Sequence, residues 1–367
     1  MKASRARGVA TQQGNFPRPV PLVSAETDLA QHGALLDAVS SAAGDVPALL
    51  ALAGDVGGSW PKPGHGQTGL LWELLASVAS VDVAAGRIFE PHLDAQAILD
   101  QAGHPSGERG GLWGVFAAEG PGTRLEAKAD GGSILLGGAK PWCSLAPLLD
   151  RAIVTAHTET GGRAAFAVDL RHPGVTCEVP VWVARGLREI PSGTVHFSRV
   201  PAVPVGGDDW YFSRPGFAWG GMGVAACWLG GAVAVARGYK ESLRAAAGNG
   251  REPDQIALAA LGETDRILTS TLQYLGRVSE LIDGEALSDG GAGHSAWSEA
   301  LRVRGTVAAA VERVLSLVGT NRGPGPLAFD ERYAKLMADL ALYVRQHHGM
   351  RDDAQLGKLT FSGEHPW

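Results

Sequence analysis

Residues 215–236 are the feature that most limits how this chain can fold, because 22 consecutive positions carry no charged side chain. A helix of this length could cross a bilayer. Six of the residues are glycine, few are leucine, isoleucine or phenylalanine, and the rest of the chain has no second such segment. A lone span between two large polar portions would be unusual. We therefore interpret the segment as a helix buried on all sides in a large protein, and we expect no membrane partner.

Length and charge narrow the classes of function. The chain has 367 residues, enough for two or three domains, and 45% of them are hydrophobic, which is typical of a folded protein. The formal net charge is −6. A nucleic-acid binder that works by bulk charge needs a surplus of basic residues, so we expect no nucleic-acid partner.

The cysteines and the first residues indicate a cytoplasmic protein. The three cysteines, Cys143, Cys177 and Cys227, cannot all pair, and none lies in a CxxC motif. A disulfide scaffold is therefore not expected. The basic first seven residues are followed by a polar, proline-rich stretch that lacks the apolar segment of a signal peptide.

Changes in hydrophobic periodicity divide the chain into five parts and predict a multidomain α+β fold. The predicted parts are a flexible N-terminal segment (1–25), an N-terminal helical domain (26–110), a central antiparallel β domain (111–212), a C-terminal four-helix bundle (213–350) and a C-terminal tail (351–367).

The helical domain is predicted from apolar residues at helical spacing. One helix face is formed by Leu70, Leu71, Leu74, Leu75 and Val78, and Thr68 stands just ahead as a candidate N-cap. A second helical run covers residues 84–102, and we expect Pro91 to kink it or split it.

Short apolar runs between glycine and proline breaks predict the β domain. The runs are 114–118, 134–136, 152–156, 164–170, 175–183 and 194–200. Four longer helical runs follow, near 217–246, 253–284, 295–319 and 327–347. Short loops between four helices indicate an up-down-up-down bundle.

The segment Lys140-Pro141-Trp142-Cys143-Ser144 is the most informative motif. It ends one predicted strand, and the next strand follows closely. At such a place Trp142 can pack on the face of a flat cofactor, and the Ser144 hydroxyl can bond a ring nitrogen. The alternative is that Trp142 fills the β core and Ser144 is a turn residue. P-loop, HExxH and GxSxG motifs are absent from the sequence.

The order of the parts and six segments together resemble the acyl-CoA dehydrogenase superfamily over residues 60–350. The segments are PKPGHGQTGLLWELLASVA, GRIFEPHLDA, GVFAAEGPG, GGSILLGGAKPWCSLAPLLDRAIVTA, GLREIPSGTVHFSRVPAVP and FSRPGFAWGGMGVAACWLGGAVAVARGY. The resemblance implies an FAD between the β domain and the bundle, FMN being less expected, and a homodimer or homotetramer assembled through the bundle.

The same resemblance assigns cofactor roles to particular residues. Trp142 would pack against the isoalloxazine, and Ser144 would lie near flavin N5. Backbone groups of the turn Ala118-Glu119-Gly120 would face the flavin pyrimidine. The resemblance implies three further cofactor residues, Arg251, Ser316 and Gly319. They lie in the segments that, in the family, contact a neighbouring subunit's FAD and the FAD pyrophosphate. Both segments have an altered sequence in this chain.

The family's catalytic glutamate has no counterpart at either of its two usual positions. After the last bundle helix the sequence has His347 and His348, and near the start of the first bundle helix it has Trp219 and Gly220. An imidazole can transfer protons at neutral pH, so we predict His348 as the catalytic residue, with His347 and then His92 as alternatives. The alternatives to a catalytic role are that His347 and His348 form a polar helix end and that His92 is a polar surface residue. His348 and Asp352 could also share a metal ion, but two ligands on one segment do not make a site, and we expect no metal.

Three functions follow from the resemblance. The preferred one is an FAD-dependent oxidoreductase that dehydrogenates an acyl thioester of CoA or a carrier protein at Cα and Cβ and passes electrons to an electron-transfer protein. The second is a monooxygenase on the same fold, fed by a separate flavin reductase. The third is a catalytically silent scaffold or partner subunit. In each case we expect a small-molecule pocket between residues 89–94 and the bundle.

Overall fold

A computed structural model describes residues 17–24, 32–105, 110–285, 287, 295–363, 365 and 367. Of the segment expected to be flexible, residues 1–16 and 25 lie outside this range. Residues 17–24 are instead anchored on the helical domain. The backbone N–H groups of Leu22, Val23 and Ser24 all donate to Oε1 of Glu73, at 2.7–2.8 Å. A buried carboxylate that accepts three such bonds fixes the segment in place.

The described residues of the N-terminal domain form the helices α1 (Gly33–Ser41), α2 (Val46–Gly57), α3 (Thr68–Val81) and α4 (Val83–Gln101). The predicted apolar helix is α3, and it is buried on nearly all sides rather than on one face. Its N-cap is Gln67, one residue before the predicted Thr68. The helix α4 runs through Pro91 without a break, because packing buries most of its length and holds the turn that the proline weakens.

The central sheet has seven strands, and five of them close into a ring. The strands are β1 (Trp113–Phe116), β2 (Leu125–Asp130), β3 (Ser133–Ser144), β4 (Arg151–His157), β5 (Arg163–Asp169), β6 (Val175–Cys177) and β7 (Ser192–Val205). Around the ring β4 pairs with β5, β5 with β7, β7 with β3, β3 with β2, and β2 with β4.

The predicted antiparallel arrangement is wrong for part of this sheet. The strand β1 pairs with β4 in parallel, and so does β2 at one position. The chain between β1 and β4 is long enough to return in the same direction, so the parallel pairing is possible. The predicted run 175–183 forms a strand only at 175–177, since Pro180 cannot donate to a ladder.

The C-terminal part is the predicted four-helix bundle with short additions. Its long helices are α6 (Pro215–Gly248), α7 (Gln255–Asp283), α8 (Ala296–Arg322) and α10 (Glu331–Tyr343). Short helices α5 (Trp210–Ser213) and α9 (Pro324–Phe329) precede α6 and α10. The region taken as a tail is largely a further helix, α11 (Met350–Phe361).

The helix α6 is the centre of the molecule and contains the uncharged segment. Within the described residues it is the one helix long and apolar enough to cross a membrane, and 72% of its most apolar window is buried inside the protein. It packs against α3, α4, α7, α8 and α10. Its glycines permit this crowding, because a Cβ at Gly230 would overlap the backbone carbonyl of Ala76 in α3.

Lys335 joins the three parts of the chain. Its Nζ lies 2.9 Å from Asp82 Oδ1 at the start of α4 and 2.7 Å from Glu189 Oε1 in the loop before β7. It also lies 2.5 Å from Asp339 Oδ2 on its own helix. The other oxygen of Asp339 accepts a hydrogen bond from the backbone N–H of Leu187 at 2.6 Å. The β domain is thus held against α4 and α10 together.

We expect Gly230→Ala to destabilise the fold and Gly238→Ala to stabilise it. Both glycines lie in α6, but only Gly230 faces another backbone, while a Cβ at Gly238 meets nothing within 4 Å. Overpacking costs about 1–3 kcal/mol or more, whereas an exposed helical Gly→Ala change gains about 0.5–1 kcal/mol. Urea unfolding of both variants measures the difference, and equal stabilities would contradict the packing of α3 on α6.

Candidate functional site

The end of β3 is a strained bulge that exposes Trp142. The register between β3 and β7 shifts between Lys140 and Cys143. Trp142 has a φ of 61° and Leu145 a φ of 57°, left-handed values that cost an L-residue about 1–3 kcal/mol. Despite that cost, 61% of Trp142 is exposed. The bulge therefore turns an indole outward, and Trp142 does not fill the β core.

Ser144 lies where the β domain meets α4. Its Oγ is 2.6 Å from Ser192 Oγ on β7 and accepts a hydrogen bond from Nη2 of Arg87 at 3.1 Å. Ser144 is buried and pairs with Ser192 just beyond the bulge that exposes the indole. A hydroxyl from β3 and a guanidinium from α4 are thus brought together two residues after Trp142.

The turn Ala118-Glu119-Gly120 is tied to this strand by its glutamate. Glu119 Oε1 accepts from the buried Nζ of Lys140 at 2.7 Å, and Oε2 lies 3.3 Å from His157 Nε2. Burial opposes ionisation of Glu119, but Lys140, with His157 and Arg163, outweighs it and holds the pKa of Glu119 below its usual value. The side chain fixes the turn, which leaves only backbone groups and Ala118 for contact with a ligand.

A cavity lies between α3, α4 and α6, at the place expected from the sequence. Its volume is about 20 Å³, roughly room for one water molecule. It is lined by Pro63, Leu71, Trp72, Leu75, Glu90, Leu93, Asp94, Ala97, Trp219, Gly220 and Gly223. Glu90 follows Arg87 by one helical turn, so the cavity begins next to the group that holds Ser144. A larger cavity of about 160 Å³ lies on the β domain, beside Cys143 and Cys177.

Glu90 and Asp94 are functional candidates that sequence analysis missed. Burial raises the pKa of Glu90 to about 8, and Arg87 and Arg304 only partly offset it. Burial also raises the pKa of Asp94 against the charge of Arg214. The available signal was a pair of acids at i, i+4 on a helix whose neighbouring positions are largely apolar, since acids are seldom buried without a reason.

The predicted histidine pair converges on a carboxylate, Asp352. The Oδ2 of Asp352 lies 3.1 Å from His347 Nδ1, and its Oδ1 lies 3.2 Å from His348 Nδ1. The His347 side chain is 11% exposed and that of His348 is 68% exposed. The preceding backbone is held by Arg304, which donates to the carbonyls of Gln346 and Gly221 at 2.6 and 3.0 Å. Arg304 thereby links the histidine loop to the region of Glu90.

Comparison with known proteins agrees with this geometry. Residues 115–200, nearly all of the β domain, match the family model described as acyl-CoA dehydrogenase, middle domain. The whole architecture matches the solved structure of butyryl-CoA dehydrogenase from Megasphaera elsdenii, with 16% identity and a TM-score of 0.69 over 84% of this chain and 89% of that one. The β domain thus matches the acyl-CoA dehydrogenase middle-domain family, and the whole chain has the acyl-CoA dehydrogenase-like fold.

Two other solved structures extend the range of similar proteins. KijD3, in complex with FMN and dTDP-3-amino-2,3,6-trideoxy-4-keto-3-methyl-D-glucose, is 18% identical with a TM-score of 0.75 over 94% of this chain and 95% of that one. FMN-bound TdsC from Paenibacillus sp. A11-2 is 18% identical with a TM-score of 0.72 over 91% of both chains. No curated protein sequence matches the chain. The predicted superfamily and fold class are confirmed.

His92 is placed in the core rather than near Ser144. His92 is 3% exposed. Its Nδ1 accepts a hydrogen bond from the backbone N–H of Trp113 at 3.2 Å. The imidazole ring occupies the space that a Cβ at Gly57 would need. Burial lowers the pKa of His92 to about 4. It joins α2, α4 and β1, so the surface interpretation of His92 is wrong, while its catalytic role stays a prediction.

The bundle carries the three other predicted cofactor residues. Arg251 is exposed in the loop after α6, and Ser316 and Gly319 lie near the end of α8. Gly319 is 15 residues beyond Arg304 on the same helix, which is about 22 Å at 1.5 Å per residue. The cofactor roles of these three residues stay predictions.

Two other chemical interpretations receive no support from the geometry. Burial raises the pKa of the Cys143 thiol, so the thiolate needed for nucleophilic attack is disfavoured. Asp82, Glu189 and Asp339 are close enough to share a metal ion, but the ammonium of Lys335 contacts all three. The positive charge of Lys335 therefore already balances these three carboxylates.

The stability that His92 contributes should be lost in acid. Its pKa is about 4 in the folded chain and about 6.5 when unfolded. Because the folded value is the lower one, the contribution is complete above pH 6.5 and falls as pH drops towards 4, by up to about 3 kcal/mol. We expect the stability difference between the wild type and His92→Asn, whose amide oxygen can still accept from Trp113, to shrink between pH 7 and pH 4.5. Urea unfolding at both pH values measures it, and an unchanged difference would contradict the neutral, buried state.

Proposed function

We propose that this chain is a flavin-dependent oxidoreductase, with Trp142 and Ser144 as residues that hold the flavin ring. The observation that carries the proposal is the strained bulge, which exposes the indole of Trp142 two residues before the hydroxyl of Ser144. Backbone strain of this kind is kept at ligand sites, where the bound group makes use of it. The FMN bound in KijD3 and TdsC, which share the fold, supports the same assignment.

For the reaction we propose monooxygenation rather than the acyl-thioester dehydrogenation that the sequence favoured. Dehydrogenation needs a base that is unprotonated before it takes the Cα proton. Glu90 is the acid next to Arg87 at the cavity, and its pKa of about 8 keeps it protonated at neutral pH. A bound reduced flavin would supply the two electrons with which one atom of O₂ becomes water while the other enters the substrate.

The roles of the chain's own residues follow from their contacts. Asp352 accepts the backbone N–H of His348 at 3.1 Å and lies against both imidazoles, so it orients them. An imidazole can give or take a proton near pH 7. His347, which is nearly buried, and His348, which reaches solvent, would move protons between the site and water. The apolar walls of the cavity would keep water from the substrate.

Dehydrogenation is the second candidate, and one observation favours it. Glu90 is a carboxyl group on the wall of the cavity, and a ligand that lowered its pKa would make it a base. The match of residues 115–200 to the acyl-CoA dehydrogenase middle domain supports the same reaction.

The flavin assignment predicts opposite effects of Trp142→Gly on stability and on binding. Glycine removes the strain at φ 61°, so the flavin-free variant should be as stable as the wild type or more stable. It should bind FMN and FAD at least about tenfold more weakly, because the ring contact is lost. Arg199→Gly is the matched control, since Arg199 has a φ of 50° and lies at the other register shift of the β3–β7 ladder, opposite the gap between Leu136 and Gly138. Unchanged flavin affinity in Trp142→Gly, or no binding by the wild type, would overturn the assignment.

The reaction is tested with two assays on the flavin-loaded chain. We expect ¹⁸O from ¹⁸O₂ to enter a member of a panel of small aromatic, sulfur and carbonyl compounds in the presence of reduced flavin. Oxidation of butyryl-CoA by an artificial acceptor without oxygen would instead establish the dehydrogenase. The double variant His347→Gln with His348→Gln should lower turnover by about 10²–10⁴ and leave flavin affinity unchanged, and the exposed His196→Gln serves as control. Full activity of the double variant would remove both histidines from the mechanism.

A further inference from the structure

Arg87 reaches from α4 across to the β domain and contacts a residue that is proposed to hold the flavin ring. Its Nη2 donates to Ser144 Oγ at 3.1 Å, and the same Oγ lies 2.6 Å from Ser192 Oγ. A guanidinium group has five N–H donors. Within the part of the chain that the structure describes, the bond to Ser144 is the one hydrogen bond that Arg87 makes. The protein leaves the other donors of this half-buried side chain to water or to a ligand.

The positive charge of Arg87 is not balanced by a carboxylate. Among the described residues, no carboxylate oxygen lies within 4.0 Å of a nitrogen of Arg87. Glu90 follows by one helical turn, but burial raises the pKa of Glu90 to about 8, so it is protonated at neutral pH. The carboxylate of Asp352 acts instead on Arg304, the other guanidinium group near Glu90. An uncompensated positive charge therefore remains next to Ser144.

A flavin ring that bonds Ser144 would lie close to this charge. A hydrogen bond places the two heavy atoms about 3 Å apart, and Nη2 of Arg87 is 3.1 Å from the same oxygen. The bonded ring atom would thus lie within about 6 Å of the guanidinium group. The ring of two-electron-reduced flavin carries a negative charge near neutral pH, whereas the oxidised ring is neutral. Because the attraction between two charges is stronger in a partly buried site than in water, Arg87 favours the reduced ring.

We propose that Arg87 is a flavin-contacting residue whose guanidinium group pairs with the negative charge of reduced flavin, so that the chain binds reduced flavin more tightly than oxidised flavin. The inference rests on the proposed function, because it assigns a further residue and its effect on reduction to the same site. By linkage, tighter binding of the reduced form raises the reduction potential of the bound flavin. Such a preference suits a chain that receives reduced flavin from a separate reductase and releases it oxidised.

The test compares the dissociation constants of oxidised and dithionite-reduced FMN for the full chain, measured without oxygen at neutral pH. We expect the wild type to bind reduced FMN at least about tenfold more tightly than oxidised FMN. Arg87→Gln removes the charge but keeps an amide that can donate to Ser144. It should lower this preference at least about tenfold, which corresponds to about 30 mV for a two-electron couple, and it should do so by weakening the binding of reduced FMN.

Two further variants separate the charge of Arg87 from its structural role. Arg87→Lys keeps a cation and should keep the preference for reduced FMN within about threefold of the wild type. Arg199→Gln is the matched control, because Arg199 is an exposed arginine at the other register shift of the β3–β7 ladder, and it should leave both constants unchanged. An unchanged preference in Arg87→Gln, or a preference that falls as far in Arg87→Lys, would overturn the inference. Equal weakening of both forms of FMN in Arg87→Gln would also overturn it, since Arg87 would then only hold Ser144 in place.

The failure of this inference can be told apart from the failure of the proposed function. A wild type that binds FMN with no preference for the reduced form would overturn this inference alone. The same holds for a preference that survives Arg87→Gln. A wild type that binds FMN in neither form would overturn the proposed function and this inference with it. Urea unfolding checks that each variant folds, and if Arg87→Gln does not fold, the preference of the wild type and the behaviour of Arg87→Lys decide.

Discussion

The ammonium group of Lys335 is the interaction on which the arrangement of the site depends. It contacts a carboxylate from the start of α4, one from the loop before β7 and one from α10. Burial opposes its charge, but the three carboxylates raise the pKa of Lys335 above its usual value. Removing one partner from such a group typically costs about 3–5 kcal/mol, because charges of one sign are left uncompensated. The position of Asp82 fixes where α4 begins, and hence where Arg87 and Glu90 face the β domain. The position of Asp339 fixes α10, and hence the loop that carries His347.

The parts of the fold that were predictable are those set by local sequence. Helical spacing of apolar residues indicates α3 and the bundle helices, and turn residues mark the strand ends, so the order of the three parts follows from the chain itself. Pairing of β1 with β4 was not predictable, because it joins segments about 35 residues apart and leaves no local pattern. Likewise the anchoring of residues 22–24 depends on one buried carboxylate, Glu73, which looks in sequence like a charged position on a helix.

The candidate site was predictable only where a short motif carries it. Trp142 and Ser144 lie in such a motif, and the structure places Trp142 on the bulge and Ser144 at the strand end just after it. The pairing of His347 and His348 with Asp352 is local, within five residues. Arg87, Glu90 and Arg304 belong to two helices that meet only after folding, and no pattern in either helix shows that they face each other. For His92 the sequence suggested a surface position, because a histidine beside a proline is typical of the surface. Only the folded structure shows that Gly57 and Trp113 cover it.

Buried polar groups are treated in two ways in this molecule. Glu73 accepts four hydrogen bonds from residues 22–24, and Lys140 donates to Glu119 and Thr155. Glu90, which lies one helical turn after Arg87, instead has a pKa that burial raises to about 8. Acids perturbed in this way are concentrated at functional sites. Because Arg87 donates to Ser144, the position of Glu90 agrees with ligand binding where the β domain meets α4, and this agreement does not depend on any resemblance to other proteins.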